Sequence, residues 1–182
     1  MIIAIDPGID ATGIARFYLG DWSPREPFST MMRRLDKYAV VRTSPDTPLP
    51  ERLERLAVAV SDFVDSARVD HCYIERSSKS GVYAARRNRQ QTKGAINAKA
   101  LQLLDYATGA LVVGAMLENI PVTMVPAPRS SKKSRHELVL FGLKQISHPI
   151  AQQARPSPDL LCAIWLGASC LADARYAPRQ AP

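Results

Sequence analysis

The chain opens on the feature that most limits its fold. Met1–Ile5 is a short, apolar, largely β-branched run; Asp6-Pro7-Gly8 breaks it, and Gly13–Leu19 resumes it. This reads as a buried strand, a polar turn and a second strand, that is, a hairpin. Gly20–Arg34, with Pro24, Pro27 and mixed charge, reads as a loop, and Lys37–Val41 as a third strand. From Glu51 to Ala67, Leu53, Leu56, Val60, Phe63 and Val64 recur at helical steps and define one apolar face. A fourth strand at Cys72–Glu75, a long helix over 93–118 and a fifth strand at Pro121–Val125 follow. A short helix over 130–141, a loop over 147–158 and an apolar helix over 159–172 complete the order. A three-stranded meander followed by alternating helices and strands predicts an α/β fold: a five-stranded mixed sheet with helices on its faces. Residues 1–175 are expected to form a single domain, with 176–182 as a flexible tail.

Composition narrows the partner. A chain of 182 residues can bury a full core without disulfides or metals as staples. With 46% hydrophobic and 23% charged residues, wholesale disorder is excluded. Lys and Arg number 24 against 17 Asp and Glu, a net charge of +7, which favours an anionic partner such as nucleic acid. Cys72, Cys162 and Cys170 have no metal-like spacing and read as reduced, buried thiols. The longest apolar run, Ala107–Leu117, reads as a buried helix too short to cross a bilayer. With no charged leader and a strand starting at residue 2, the chain is expected to be unsecreted, in the cytoplasm or with the nucleoid.

Three acids sit where elements end or begin. Asp6 closes the first strand, Glu75 closes the fourth, and Asp159 opens the last helix. If strands one and four are neighbours, Asp6 and Glu75 emerge side by side and Asp159 can point at them. Carboxylates so clustered repel unless a cation joins them, and hard oxygen donors select Mg²⁺ or Mn²⁺. Two such ions can activate water and steady the leaving oxygen of a phosphodiester. Each acid also has a plain reading. Asp6 with Pro7-Gly8 is a turn, Asp159 after Ser157-Pro158 is a helix start, and Glu75 pairs with an Arg.

Taken together, these residues resemble a family. Ile3-Ala4-Ile5-Asp6-Pro7-Gly8, with Thr12-Gly13, is similar to the first motif of RuvC-type Holliday-junction resolvases. Tyr73-Ile74-Glu75 resembles their second motif, and Asp159-Leu160-Leu161-Cys162-Ala163-Ile164 their last. The resemblance runs from Met1 to about Leu171 and implies a ribonuclease H-like fold. It implies a homodimeric, Mg²⁺-dependent endonuclease, with Mn²⁺ as a substitute, that nicks branched DNA using two ions among Asp6, Glu75 and Asp159. The family often carries a further acid or His one turn before the last Asp, where this chain has Pro156. Three readings follow: His148 substitutes from its loop, three carboxylates suffice, or the chain binds DNA without cutting it.

Arg76, Lys79, Arg86, Arg87, Arg89 and Lys93 follow the second motif with no acid among them, and are expected to contact phosphates. Tyr83 either stacks on an unpaired base or packs on its own helix. Arg129, Lys132, Lys133 and Arg135 cluster at a helix start, where the macrodipole gives no reason for cations, so DNA contact is expected there too. The resemblance assigns Lys133 a catalytic role as transition-state stabiliser. His71 and His136 carry no assigned role. Sugar kinases and actin-like ATPases share an Asp-x-Gly and Thr-Gly hairpin but need a second such loop and domain, which this chain lacks. Neither a nucleotide cofactor nor a membrane partner is expected.

Overall fold

The computed structural model describes residues 1–20, 26–64, 68–76, 98–127 and 130–173. Five strands form one sheet: β1 (Ile2–Asp6), β2 (Ala11–Phe17), β3 (Leu35–Arg42), β4 (His71–Arg76) and β5 (Val122–Pro126), in the order β3-β2-β1-β4-β5. The β1–β2 and β2–β3 pairs are antiparallel, and β1–β4 and β4–β5 are parallel. This is the expected mixed sheet.

Strand periodicity divides the core. Ile2, Ala4, Ala15, Phe17, Tyr73 and Val125 pack on one face, and Ile3, Ile5, Ile14, Cys72 and Ile74 on the other. The second face is covered by α2 (Leu49–Val64), through Leu56, Val60 and Phe63, and by α3 (Ala98–Leu117), through Ala107, Leu111 and Ala115. The first face is covered by α4 (Lys132–Gln145) and α6 (Pro158–Ala172). Because β1 is covered on both faces, it is apolar throughout and shows no alternation. At the α2–α3 crossing, a Cβ on Gly114 would lie 2.4 Å from the Ala57 carbonyl oxygen. A side chain there would push the helices apart.

The structure departs from the sequence expectation in three places. The 20–34 stretch contains α1 (Phe28–Met31) and a 3₁₀ turn (Met32–Arg34), which bury Met31 and Met32 under α4 and α6. The 147–158 stretch contains α5 (Pro149–Gln152), capped by the His148 side chain and anchored by buried Ile150. Both helices are single turns, too short for their own periodicity to mark them. Third, the apolar part of α3 exceeds Ala107–Leu117. Lys99–Leu117, 19 residues at mean hydropathy 1.5, is long and apolar enough by length and composition to cross a membrane, although its Ala107–Leu111–Ala115 stripe packs into the core. All three cysteines are buried free thiols. Lys79, Tyr83, Arg86, Arg87, Arg89, Lys93, Arg129 and the 176–182 tail lie outside the described residues.

Candidate active site

The carboxyl ends of β1 and β4 lie side by side, because Ile5 pairs with Ile74 and the next residues along are Asp6 and Glu75. Both acids are nearly buried, at 7% and 8% exposure. Across β1 on the other side, Asp6 pairs with Gly13. Gly13 lets the start of α6 rest on the sheet: a Cβ there would lie 2.1 Å from the Asp159 carbonyl oxygen. The Thr-Gly of the first motif thus brings the third acid to the other two.

The turn after Asp6 is tied down from two sides. The Thr12 hydroxyl, fully buried, donates to the Gly8 carbonyl at 2.6 Å and accepts from the Gly8 amide at 3.2 Å. From α2, buried Arg52 donates to the Ile9 carbonyl at 3.2 Å, to Asp10 at 2.5 Å and to the Thr43 hydroxyl at 3.0 Å. The Asp6 backbone therefore leads into a fixed loop.

Helix α4 delivers three side chains to these acids. Arg135, 5% exposed, donates from Nη1 to Glu75 Oε2 at 3.1 Å, and its guanidinium carbon lies 5.3 Å from the Trp165 ring centroid. Its Nε is buried without a hydrogen-bond partner. Lys132 places its charge within reach of Asp6, Cys162 and His136. His136 Nε2 lies 3.3 Å from Cys162 Sγ. Cys162, three residues after Asp159 on α6, hydrogen-bonds Asp6.

Electrostatics show the crowding. Burial, then the charges of Glu75 and Asp159, lift the Asp6 carboxyl to about 7, with Lys132 and the Cys162 hydrogen bond opposing. Burial and then Asp6 push the Cys162 thiol up to about 12. His136 is held below its usual value by burial and by Lys132 and Arg135, partly offset by Asp159 and the Pro158 carbonyl. Its imidazole is therefore neutral at neutral pH.

Donor type and charge fit a hard divalent cation: three carboxylates face one lysine and one arginine, and the Glu75 and Asp159 charges add to burial in raising Asp6. Asp6, Asp159 and the second oxygen of Glu75 are the donors available. Among the described residues, no three His, Cys, Asp or Glu side chains are set at ligand geometry, and Glu75 is drawn toward Arg135.

Several expected residues stand elsewhere. Arg135, expected on DNA, is buried, and its charge meets Glu75. Lys133 is 87% exposed and lies 3.9 Å from Glu137, one turn on, so it is Lys132 whose charge reaches Asp6. His148 packs its ring on Tyr38 at 5.5 Å and caps α5. Pro156 supplies no donor. Arg76 is exposed at the end of β4, beside Glu75. His136 is the residue the sequence reading passed over. The signal for it was present: buried Val139 and Leu143 set the inward stripe of α4, and stepping back from Val139 by four and three residues reaches Arg135 and His136.

No protein-family profile matches the chain. The crossover junction endodeoxyribonuclease RuvC of Corynebacterium glutamicum is 29% identical over 133 residues, 73% of this chain and 49% of that protein. The chain thus spans about half the length of the curated relative it matches. Two solved structures of Thermus thermophilus RuvC, one in complex with a Holliday junction substrate, superpose with TM-scores of 0.63 for the complex and 0.65. Identities are 18% and 20%; each match covers 96% of this chain, and 94% and 95% of the respective RuvC chains. In sequence and in fold this chain resembles the RuvC-type Holliday-junction resolvases, and its architecture is theirs, ribonuclease H-like.

Proposed function

We propose that the chain is a divalent-metal-dependent endodeoxyribonuclease that nicks branched DNA, most directly four-way junctions. The observation that carries this is the convergence of Asp6, Glu75 and Asp159 at one end of the sheet. They are three mutually repelling acids, and one of them, Asp6, is raised to about 7 by burial first and by the other two acids after it. A divalent ion held by Asp6 and Asp159, with Glu75, supplies Lewis acidity toward a phosphate; Mg²⁺ fits these donors and Mn²⁺ substitutes.

The remaining roles belong to the chain itself. Asp6 is fixed in aim by the Thr12 and Arg52 contacts to the turn behind it. Lys132, exposed and close enough to act on Asp6, is placed to offset the charge of an incoming phosphate, the role first given to Lys133. His136, neutral and within the field of Asp159, can accept a proton. Arg76, Lys79, Arg86, Arg87, Arg89, Lys93 and Arg129 supply the basic track for the DNA backbone, with Tyr83 as a stacking candidate.

Two nicks in one junction need two such sites, hence a homodimer. Tyr106, Val113, Met116 and Leu117 leave α3 with an exposed apolar face suited to a second copy. A second reading, a junction binder that does not cut, is motivated by Pro156 and by the pairing of Glu75 with Arg135. End-labelled four-way junction, flap and linear duplex, incubated with Mg²⁺, Mn²⁺ or chelator, separate the two. Metal-dependent nicks in the junction support the nuclease, and tight binding without nicks in either metal supports the binder.

A further inference from the structure

Arg52 and Arg135 are the buried cations among the described residues, and of the two only Arg135 pairs with a buried acid. Its side chain is buried at the floor of the carboxylate cluster, with Glu75 as its hydrogen-bonded anion and the Trp165 ring beneath it. A charge so desolvated needs a counter-charge, and removing either partner strands the other. Glu75 therefore already has a cation, 3.1 Å from one of its two oxygens. A metal ion centred on Glu75 would have to approach that guanidinium and be repelled by it.

The charge count agrees. Three carboxylates are balanced by one guanidinium and one divalent ion, whereas a second divalent ion would leave this buried cluster two charges positive before Lys132 is counted. The donor count agrees too. Among the described residues, Asp6, Glu75 and Asp159 are the acids assembled here, Glu75 is shared with Arg135, and Pro156 adds none. We propose that Arg135 acts as a built-in cation in place of a second metal ion, so that this chain binds a single divalent ion, on the Asp6–Asp159 side of the cluster. This rests on the metal-site reading above and revises the two-ion expectation drawn from the sequence. Arg135 is then a positioning residue: it holds Glu75 and sets the charge the ion meets.

The test counts ions rather than cuts. Mn²⁺ is titrated into the full chain by calorimetry and followed by electron paramagnetic resonance, for wild type, Arg135→Lys, Arg135→Gln and Asp6→Asn. The expected result is one Mn²⁺ per chain with an uncoupled six-line spectrum, for wild type and for Arg135→Lys, which keeps the charge. Arg135→Gln is expected to take two. Two ions or a spin-coupled pair in the wild type overturns the inference while leaving the metal site standing. A folded Arg135→Gln that still binds one ion overturns it as well. Should Arg135→Gln fail to fold, the wild-type and Arg135→Lys counts decide. A wild type that binds no more Mn²⁺ than Asp6→Asn removes the metal-site reading itself, and this inference with it.

Discussion

Asp6 joins the two demands on this molecule, folding and charge. An aspartate ordinarily titrates near 3.8, but in the folded chain burial and its acidic neighbours hold it protonated to about 7. Between those values the unfolded chain has released a proton that the folded chain keeps. Metal-free stability therefore falls as pH rises from about 4 to about 7, as far as Asp6 is concerned, and levels off above. Asn has no charge to lose. In chelator, Asp6→Asn is expected to melt with the wild type at pH 4 and several degrees above it at pH 8, at about 2–4 °C per kcal/mol. Thermal unfolding at the two pH values checks this, and equal melting at pH 8 would show that Asp6 is not crowded. At this scale the position of the acids at element ends was legible in the sequence, and the direction each cation faces was not. An acid directly after a buried strand is conspicuous by position alone. A basic cluster at a helix start looks uniform until the packed side of the helix is known, and that packing sends Arg135 inward to Glu75 and leaves Lys133 in solvent.

Among the elements, the contact between β2 and α6 matters most to the site. Gly13 lets the α6 backbone touch the sheet, and Asp159 arrives at the acids because of that contact. Gly13→Ala is expected to shift the start of α6, destabilising the chain by about 1–3 kcal/mol and weakening Mn²⁺ binding. Gly109→Ala is the control, since a methyl there meets open space on α3 and should be neutral or stabilising. Unfolding and Mn²⁺ titration of the two variants separate a local clash from a generic glycine effect. The strands and long helices were legible because their apolar periods extend over several residues. The single-turn helices α1 and α5 were not, because what forms them is tertiary: Met31, Met32 and Ile150 find room in a core built by distant elements.

For the whole molecule, charge and symmetry carry the account. A net charge of +7 predicts DNA binding that weakens steeply with salt. Replacing both Arg86 and Arg87 with Ala is expected to reduce the slope of log affinity against log salt by about 2 if each meets a phosphate. An unchanged slope in a binding titration would place the DNA elsewhere. The exposed apolar face of α3 predicts a dimer: Met116→Glu, at a residue 63% exposed and so harmless to the isolated fold, should shift the chain to monomer in sedimentation. A wild type that sediments as a monomer would contradict the paired-site reading.

The central claim is that the acids at the ends of β1, β4 and the start of α6 cut DNA. The most direct measurement is single-turnover cleavage of a labelled four-way junction by wild type and Asp6→Asn in Mg²⁺ and Mn²⁺, with junction binding read in parallel. The account predicts paired nicks by the wild type and a loss on the order of a thousandfold or more in Asp6→Asn. Binding should be retained or tightened, because the substitution removes negative charge facing the phosphates. Cleavage by Asp6→Asn at the wild-type rate would contradict it.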